Sequence, residues 1–559
     1  MGFLDLAGPA ADAAVARLRL ADDDPATLQH RELMARALAL VGAWVRQRPG
    51  GPAHHADDDL TTARGWVRHL ATRQSPGGTF VGGDNVLSPP DSAFTVNDVC
   101  DALELLAPHR ATVPAAAALA DDLDAIVHRA TPALLTGGVH TPNHRWEIAA
   151  ALARVHRLHP AAALLDRIDA WLAEGPDIDA DGLWSERSPN YASAVSGPSF
   201  LVLAAVLDRP ALLDPVRRSL DATLTLLLPD DTVETVQSRR QDQSQPFGIG
   251  PFAPLLWHVA VLDGRGDLAA VAARAAVAET WQPAAVAARS MTDPLLGRPL
   301  PEPVALAPAV HTFADARLVH VREPDRSVVL FAGSDVPAQG HVRSGLANSP
   351  TFLRVVVGSV VLSDVRLSRE FFGLGPFRPT ALESLGDGRF RLTETVSAGY
   401  HQPLPASARQ PDGRYPLADE GRFSAAMAFG ARSVDTVVLS TTVDVAVTPD
   451  AVVLDVVTEG AEVPWSLQLT FRTGGTLTGV ETDAVTGERV LADGTGSYRV
   501  GSDVVTFGPG NGAGPGQPAG YTPGQDYAFL GGTDRPRGEH VHVTGRAPGS
   551  ARIVIGTGR

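Results

Sequence analysis

Up to about residue 290, apolar residues recur three and four positions apart, with Ala and Leu dominating. That spacing paints one face of a 3.6-residue helix and predicts amphipathic helices rather than strands. It is carried by residues 30–48, 95–109, 116–130, 144–159, 163–175, 198–208, 210–228, 253–264 and 267–281. The opening MGFLDLAGPAADAAVARLRLADDD reads as another amphipathic helix, since no basic stretch precedes an unbroken apolar core. Short Gly, Pro and Asp turns divide the segments, so the helices form serial hairpins that must stack to bury their stripes. The choice is a solenoid or a closed helical toroid, and the absence of a strict sequence repeat favours the toroid.

Residues 293–310, DPLLGRPLPEPVALAPAV, carry five prolines and no helical period, which predicts a linker. Beyond it the period changes to two. The Val- and Thr-rich runs at 316–323, 326–333, 351–367, 434–460, 465–473 and 551–558 alternate apolar and polar residues between Gly, Asp and Pro turns. So many short strands predict an antiparallel sandwich, with the glycine-rich 509–525 as an exposed loop. The expected fold class is α+β and multidomain: an (α/α) toroid over 1–292, the linker, then an antiparallel β-sandwich over 311–559.

Composition narrows the chemistry. The 559 residues contain no lysine, so all 47 cations are arginine, against 63 Asp and Glu and a net charge of -16. A Lys Schiff base, a Lys general base and a Walker-type phosphate loop are therefore excluded. Cys100 is the single cysteine, which excludes an intramolecular disulfide and a cysteine-rich zinc site. The acidic balance argues against nucleic acid as a partner. No run approaches the roughly 20 apolar residues of a membrane span, and a cytoplasmic protein is expected.

Four segments combine titratable groups with awkward local structure. In TPNHRWEI (141–148), Asn143 is placed to cap a helix whose first turn holds His144, Arg145, Trp146 and Glu147. Donors at such a terminus suit an anionic group. The connection 179–200 holds Trp184, Glu186, Arg187, Asn190 and Tyr191, more function than a turn requires. Tyr191 is the one tyrosine of the helical half. Arg239 and Arg240 stand together amid Gln and Ser in 233–248, and His341, Arg343 and Asn348 share the loop 338–350. His401, beside Tyr400, is a weaker candidate. The plainer readings are a capping Asn with a surface His, a tyrosine covering the toroid mouth, Arg239–Glu234 or Arg240–Asp242 ion pairs, and a polar loop. His540 and His542 share a strand face without a third ligand, which reads as a solvent-facing strand, and no metal or other cofactor is expected.

A helical toroid followed by an antiparallel sandwich resembles the heparinase II/III-like polysaccharide lyases and their alginate and chondroitin/hyaluronate lyase relatives. Asn143-His144-Arg145 resembles the Asn-His motif of such enzymes. Tyr191, in a loop containing Asp181-Gly182 and Glu186, resembles their catalytic tyrosine. GHVRSGLANSP (340–350) resembles the histidine-bearing segment that opens their sandwich, although Arg343 and Gly345 stand where a second His and an Asp are expected. The resemblance implies β-elimination on a uronic-acid-containing oligo- or polysaccharide partner. Tyr191 would be the acid, Tyr191 or His144 the base, and Asn143 with Arg239 or Arg240 would clamp the carboxylate, helped by His144 or His341. Trp146 and Trp184 would stack on sugar faces. Arg145, Glu186, Asn190, Arg343 and His401 would complete substrate binding. The alternatives are a toroid-fold glycoside hydrolase using Asp181, Glu186 or Glu147, and a carbohydrate-binding protein without catalysis.

Overall fold

The computed structural model describes residues 1–46, 57–484, 486–512, 521–527 and 531–558. Part of the predicted glycine-rich loop, 513–520, and the last two residues of the predicted helix 30–48 lie outside them. The chain divides into two compact units, Met1–Thr225 with Phe247–Leu306, and Leu226–Pro246 with Ala307–Arg559.

The first unit is helical: α1 (Phe3–Leu20), α2 (His30–Val45), α3 (Asp57–Thr72), α4 (Pro89–Leu106), α5 (Pro114–Thr136), α6 (Asn143–Leu158), α7 (Ala162–Leu172), α8 (Pro189–Tyr191), α9 (Gly197–Val206), α10 (Asp214–Thr225), α11 (Ala253–Asp263), α12 (Gly266–Ala275) and α13 (Pro283–Ser290). The predicted stripes face inward, as Met34, Leu38 and Val41 of α2 and Leu119, Leu123 and Ile126 of α5 all lie in one core. The helix α3 was not expected, because Asp and Thr crowd its first turns. Its stripe is nonetheless real, with Leu60, Ala63, Val67 and Leu70 buried.

Helix α2 packs on α4, α4 on α6, and α6 on α9, while α3, α5 and α7 make the return legs. The helix α13 then comes back to α1 and α2, so the series closes into a ring. Closure depends on small residues: a Cβ added at Gly42 would lie 2.4 Å from the Cβ of Ala288. Gly42→Val is therefore expected to lower unfolding stability by about 2–3 kcal/mol through overpacking, measured by denaturant titration. At the α1–α11 contact, Phe3 meets Trp257 edge to face at 5.7 Å.

The proline-rich segment departs from the expected free linker. Through Leu306 it groups with the helices. Arg298 accepts a hydrogen bond from Trp257 Nε1 at 3.0 Å, and Val304 donates its amide to Gly266 at 2.9 Å. Proline removes N–H donors but leaves every carbonyl available, so the strip can dress helix surfaces without a period of its own. A second departure is 226–246, expected among the helices but grouped with the strands. Its ion pairs explain this: Arg239 with Asp335, Glu234 with Arg354, and Asp230 with Arg472.

The second unit is antiparallel. Its main strands are β1 (Ala309–Phe313), β2 (Leu318–Arg322), β3 (Arg326–Phe331), β4 (Leu353–Val357), β5 (Val360–Arg369), β6 (Ala381–Gly386), β7 (Arg389–His401), β8 (Val434–Val447), β9 (Ala451–Phe471), β10 (Gly496–Val500), β11 (Asp503–Gly508) and β12 (Glu539–Gly556). The long β9 organises them. Its first half pairs with β8, which leads to β7 and β6; past an irregularity between Thr458 and Val463, its second half pairs with β5, which leads to β4, β3, β2 and β1. Leu392, Val443 and Leu454 of one leaf share a core with Val355, Leu362 and Leu469 of the other, the expected sandwich.

The histidine pair of β12 is corrected. His542 is 2% exposed and contacts Ser466 Oγ at 3.2 Å and Glu488 at 3.1 Å, so this face is not open to solvent. It continues across β9 and β5, where Gln468 pairs in register with both His542 and Arg366. Among the described residues no three His, Cys, Asp or Glu side chains gather as a metal site, and no helix is long and apolar enough to cross a membrane.

Candidate active site

The inner helices α2, α4 and α6 bring their N-terminal turns together at one end of the ring. Arg31, in the first turn of α2, forms an ion pair with Asp91 in the first turn of α4 and lies over the Phe94 ring at 4.1 Å. Its guanidinium is also within electrostatic reach of Asp84, of Glu147 in α6 and of Tyr191 in α8. Burial pulls its pKa down and these acidic neighbours push it up, with burial the larger effect. One cation thus lies near groups from three other helices far apart in sequence.

Glu147 is buried and accepts a 2.6 Å hydrogen bond from Asn97 Nδ2. Burial raises its pKa to about 7, against the opposing effects of Asn97, Arg154 and Arg31. Behind it Arg154 donates to Asn97 and Asp101, and Arg289 of α13 clamps Asp98 through two bonds of 2.7 and 2.9 Å. The polar floor of the site is thus fastened to the helix that closes the ring. His30 stacks on Phe80 and contacts Thr95 Oγ1 at 2.7 Å through Nδ1. Burial lowers its pKa to about 4, so it is neutral at neutral pH.

Asn143 and Glu147 stand four residues apart and share a face of α6. Asn143 is the first helical residue rather than the cap, a position Pro142 takes. Its Oδ1 accepts from Thr141 Oγ1 at 2.8 Å, while its Nδ2 is buried with no hydrogen-bond partner among the described residues. A buried amide donor held ready in this way suits an oxygen of a ligand. His144 is buried, not on the surface, and its ring meets His140 edge to face at 4.7 Å.

Tyr191 is half-buried, and its local structure is unusual. Arg187 before it has a φ of 52°, a left-handed conformation that costs a non-glycine residue energy. Ser188 Oγ accepts the Tyr191 amide at 3.2 Å, and Ala192–Ser196 form a π-helical turn before α9 begins. Such turns rotate the side chains that precede them out of the ordinary helical register. Asn190 is exposed and Glu186 buried in the same segment.

Several predicted binding residues have other work. Trp146 is fully buried against Phe200 and donates to Asp177 at 2.6 Å. Trp184 is buried and donates to Ser219 at 3.0 Å, so neither indole is a sugar platform. Arg145 is occupied by Glu174 and Asp177 and lies against the Trp146 ring. In the second unit, Arg239 is held by Asp335 through bonds of 2.9 and 3.0 Å, a partner different from the Glu234 foreseen. Arg240 is half-buried beside it. His341 and Arg343 are exposed and contact one another at 3.2 Å, in a loop that Asn348 ties through the Arg343 backbone. His401 lies against Phe429 and 3.6 Å from Glu420.

The residues missed from sequence are His30, Arg31 and Asp91. They lay inside or beside segments read as plain helices. One signal was available, because a cation in the first turn opposes the helix dipole and Arg31 occupies that unfavourable place.

The sequence matches no family model and no curated protein. Among solved structures, the chain is similar to heparan sulfate lyase HepC from Pedobacter heparinus, at 12% identity and a TM-score of 0.43, over 98% of this chain and 88% of that one. It is similar to a mutant of chondroitin AC lyase from Streptomyces coelicolor A3, at 15% identity and a TM-score of 0.46, over 98% and 79%. A third is a GH127 β-arabinofuranosidase, at 10% identity and a TM-score of 0.30, over 100% and 91%.

Proposed function

We propose that the chain is a polysaccharide lyase that cleaves uronic-acid-containing glycans by β-elimination. One observation supports this most: Arg31 is within electrostatic reach of Glu147 and Tyr191, and the buried Asn143 amide, without a hydrogen-bond partner among the described residues, shares a helical face with Glu147. Elimination needs a neutralised carboxylate, a base for the weakly acidic C5 proton and an acid for the departing oxygen. Arg31 and Asn143 Nδ2 hold the carboxylate, so that negative charge can spread into it as C5 loses its proton. Tyr191 or His144 takes that proton. The C5–H electrons become the C4–C5 double bond, the C4–O4 electrons leave on oxygen, and Tyr191 protonates it. Arg31 takes the clamp role given to Arg239 or Arg240 because, beside its ion pair with Asp91, its Nε is buried without a hydrogen-bond partner among the described residues.

The test is a screen of uronate-containing glycans, read by the ultraviolet absorbance of the unsaturated product. Arg31→Gln is expected to lower kcat/KM on a turned-over glycan by about a hundredfold, the loss of a charged hydrogen bond in the transition state. Unchanged kcat/KM in the folded variant would remove Arg31 from the clamp.

A second reading is favoured by Glu147, whose pKa of about 7 suits the general acid of a glycoside hydrolase, with Glu186 or Asp181 as the second carboxylate. The product separates the two: hydrolysis consumes water and leaves no C4–C5 double bond.

A further inference from the structure

A cavity of about 290 Å³ lies wholly within the second unit, between the segment 228–246, β4 and β5, and residues 472–473 and 533–538. We propose that it binds a tetrahedral oxyanion, a sulfate or phosphate group, free or esterified on a sugar. The proposal is independent of the elimination chemistry assigned to the helical unit.

Charge carries the argument. The chain has 47 cations for 63 acidic residues, and arginines of the second unit are commonly consumed by carboxylates. Arg369 pairs with Glu394, Arg391 with Asp444, and Arg552 with Asp455. Four arginines line the cavity, Arg354, Arg472, Arg535 and Arg537, against two carboxylates, and Arg354 is held by Glu234. Arg472 gives one guanidinium nitrogen to Asp230, and Arg535 gives its Nε to Asp526. Arg537 makes no side-chain hydrogen bond or ion pair among the described residues, and it is exposed. Arg472 and Arg535 thus keep guanidinium N–H groups beyond their single ion pairs, next to Arg537 in one concavity, and a bound anion can accept from all three.

Of the lining carboxylates, Asp534 is paired outside the lining and Asp364 lies 3.9 Å from Arg354. Asp364 accepts from Thr351 Oγ1 at 2.7 Å and Ser363 Oγ at 2.8 Å, and Asp534 is paired with Arg378 at 2.8 Å. Thr473 and Ser349 add hydroxyls, and no aromatic ring lines the space among the described residues. The recognition is therefore of charge and of a several-oxygen geometry, which forked guanidiniums match, rather than of a stacked sugar face.

The experiment is calorimetric titration of the full chain with sodium sulfate and sodium phosphate, against sodium chloride at matched ionic strength. Saturable binding of either oxyanion is expected, weakened by about tenfold or more in Arg537→Gln and further in the double variant with Arg472→Gln. Arg537 makes no side-chain bond among the described residues, so Arg537→Gln should keep the wild-type unfolding midpoint and carries the test even if Arg472→Gln costs stability. No saturable binding beyond chloride by sulfate, phosphate or an O-sulfated sugar, or binding unchanged in Arg537→Gln, overturns the proposal. A third titration uses an O-sulfated disaccharide and its desulfated counterpart. Binding of the sulfated sugar alone assigns the site to an ester on a glycan; binding of inorganic anions alone assigns it to a free oxyanion. Tyr191→Phe should bind the oxyanion like wild type whether or not the elimination reading survives.

Discussion

Tyr191→Phe is expected to abolish formation of the unsaturated product, by about a thousandfold or more in kcat, while the substrate still binds. The change deletes one oxygen and keeps the ring, so the Ser188-capped turn and the π-helical segment after it should survive. The loss is large because the hydroxyl has two tasks in the proposed reaction. It protonates O4, and it is one of two candidates to take the C5 proton. His144→Ala distinguishes the base assignments. A residual rate much higher than that of Tyr191→Phe leaves Tyr191 as both base and acid, whereas equal losses give the base role to His144. Measurements of kcat and KM on purified, folded variants decide it. Retained turnover in Tyr191→Phe would sink the catalytic assignment outright.

The second large effect concerns Glu147, and it appears in stability. Its folded pKa is about 7 against an ordinary 4.5, because burial disfavours the carboxylate. A raised folded value means that the native state holds a proton the unfolded chain releases. That stabilisation is fully present below pH 4.5 and is lost as pH rises through 7, amounting to about 3 kcal/mol across the interval. Glu147→Gln should remove this slope. The variant is expected to gain on wild type by about that amount between pH 4 and pH 8 in denaturant titrations. Parallel stability curves would show that Glu147 ionises normally. His30 acts with the opposite sign. Its folded value of about 4 lies below the ordinary 6.5, so its contribution is present above pH 6.5 and lost as pH falls through 4. The two windows overlap with opposite slopes, so they offset one another between pH 4.5 and 6.5 in the wild type, and each single variant should expose the slope of the other group.

The helices and strands were legible because each half repeats one period: Met34, Leu38 and Val41 fall on a helical stripe, and Val443 and Val445 alternate along a strand. Ring closure was chosen over a solenoid only because a repeat was lacking. Its cause, Gly42 against Ala288, leaves no apolar signature, since small residues contribute closeness rather than contrast. Asn143, His144 and Tyr191 stood out as polar groups clustered at helix boundaries. Trp146 and Trp184 were misread for the same reason: an indole beside polar residues resembles a platform, although Trp146 continues the inward stripe of α6 with Ala149, Ala150 and Ala153. Arg31 was hidden because its partners, Asp91, Glu147 and Tyr191, come from three other segments. Long-range charge pairing has no period to read.

The excursion of residues 226–246 has a consequence for biosynthesis. The chain completes ten helices, emits a segment whose ion-pair partners are Asp335, Arg354 and Arg472, and then returns to make α11, α12 and α13. On a ribosome, the closing helices emerge well before those partners exist. The ring can therefore assemble during translation while the excursion waits, with Glu234, fully buried in the finished protein, still solvated. A fragment ending at Leu306 would retain every helix of the first unit and strand this segment permanently. Cutting the gene at the obvious boundary should accordingly yield a helical product with a protease-sensitive interior loop, nicked between α10 and α11 where the full-length chain resists.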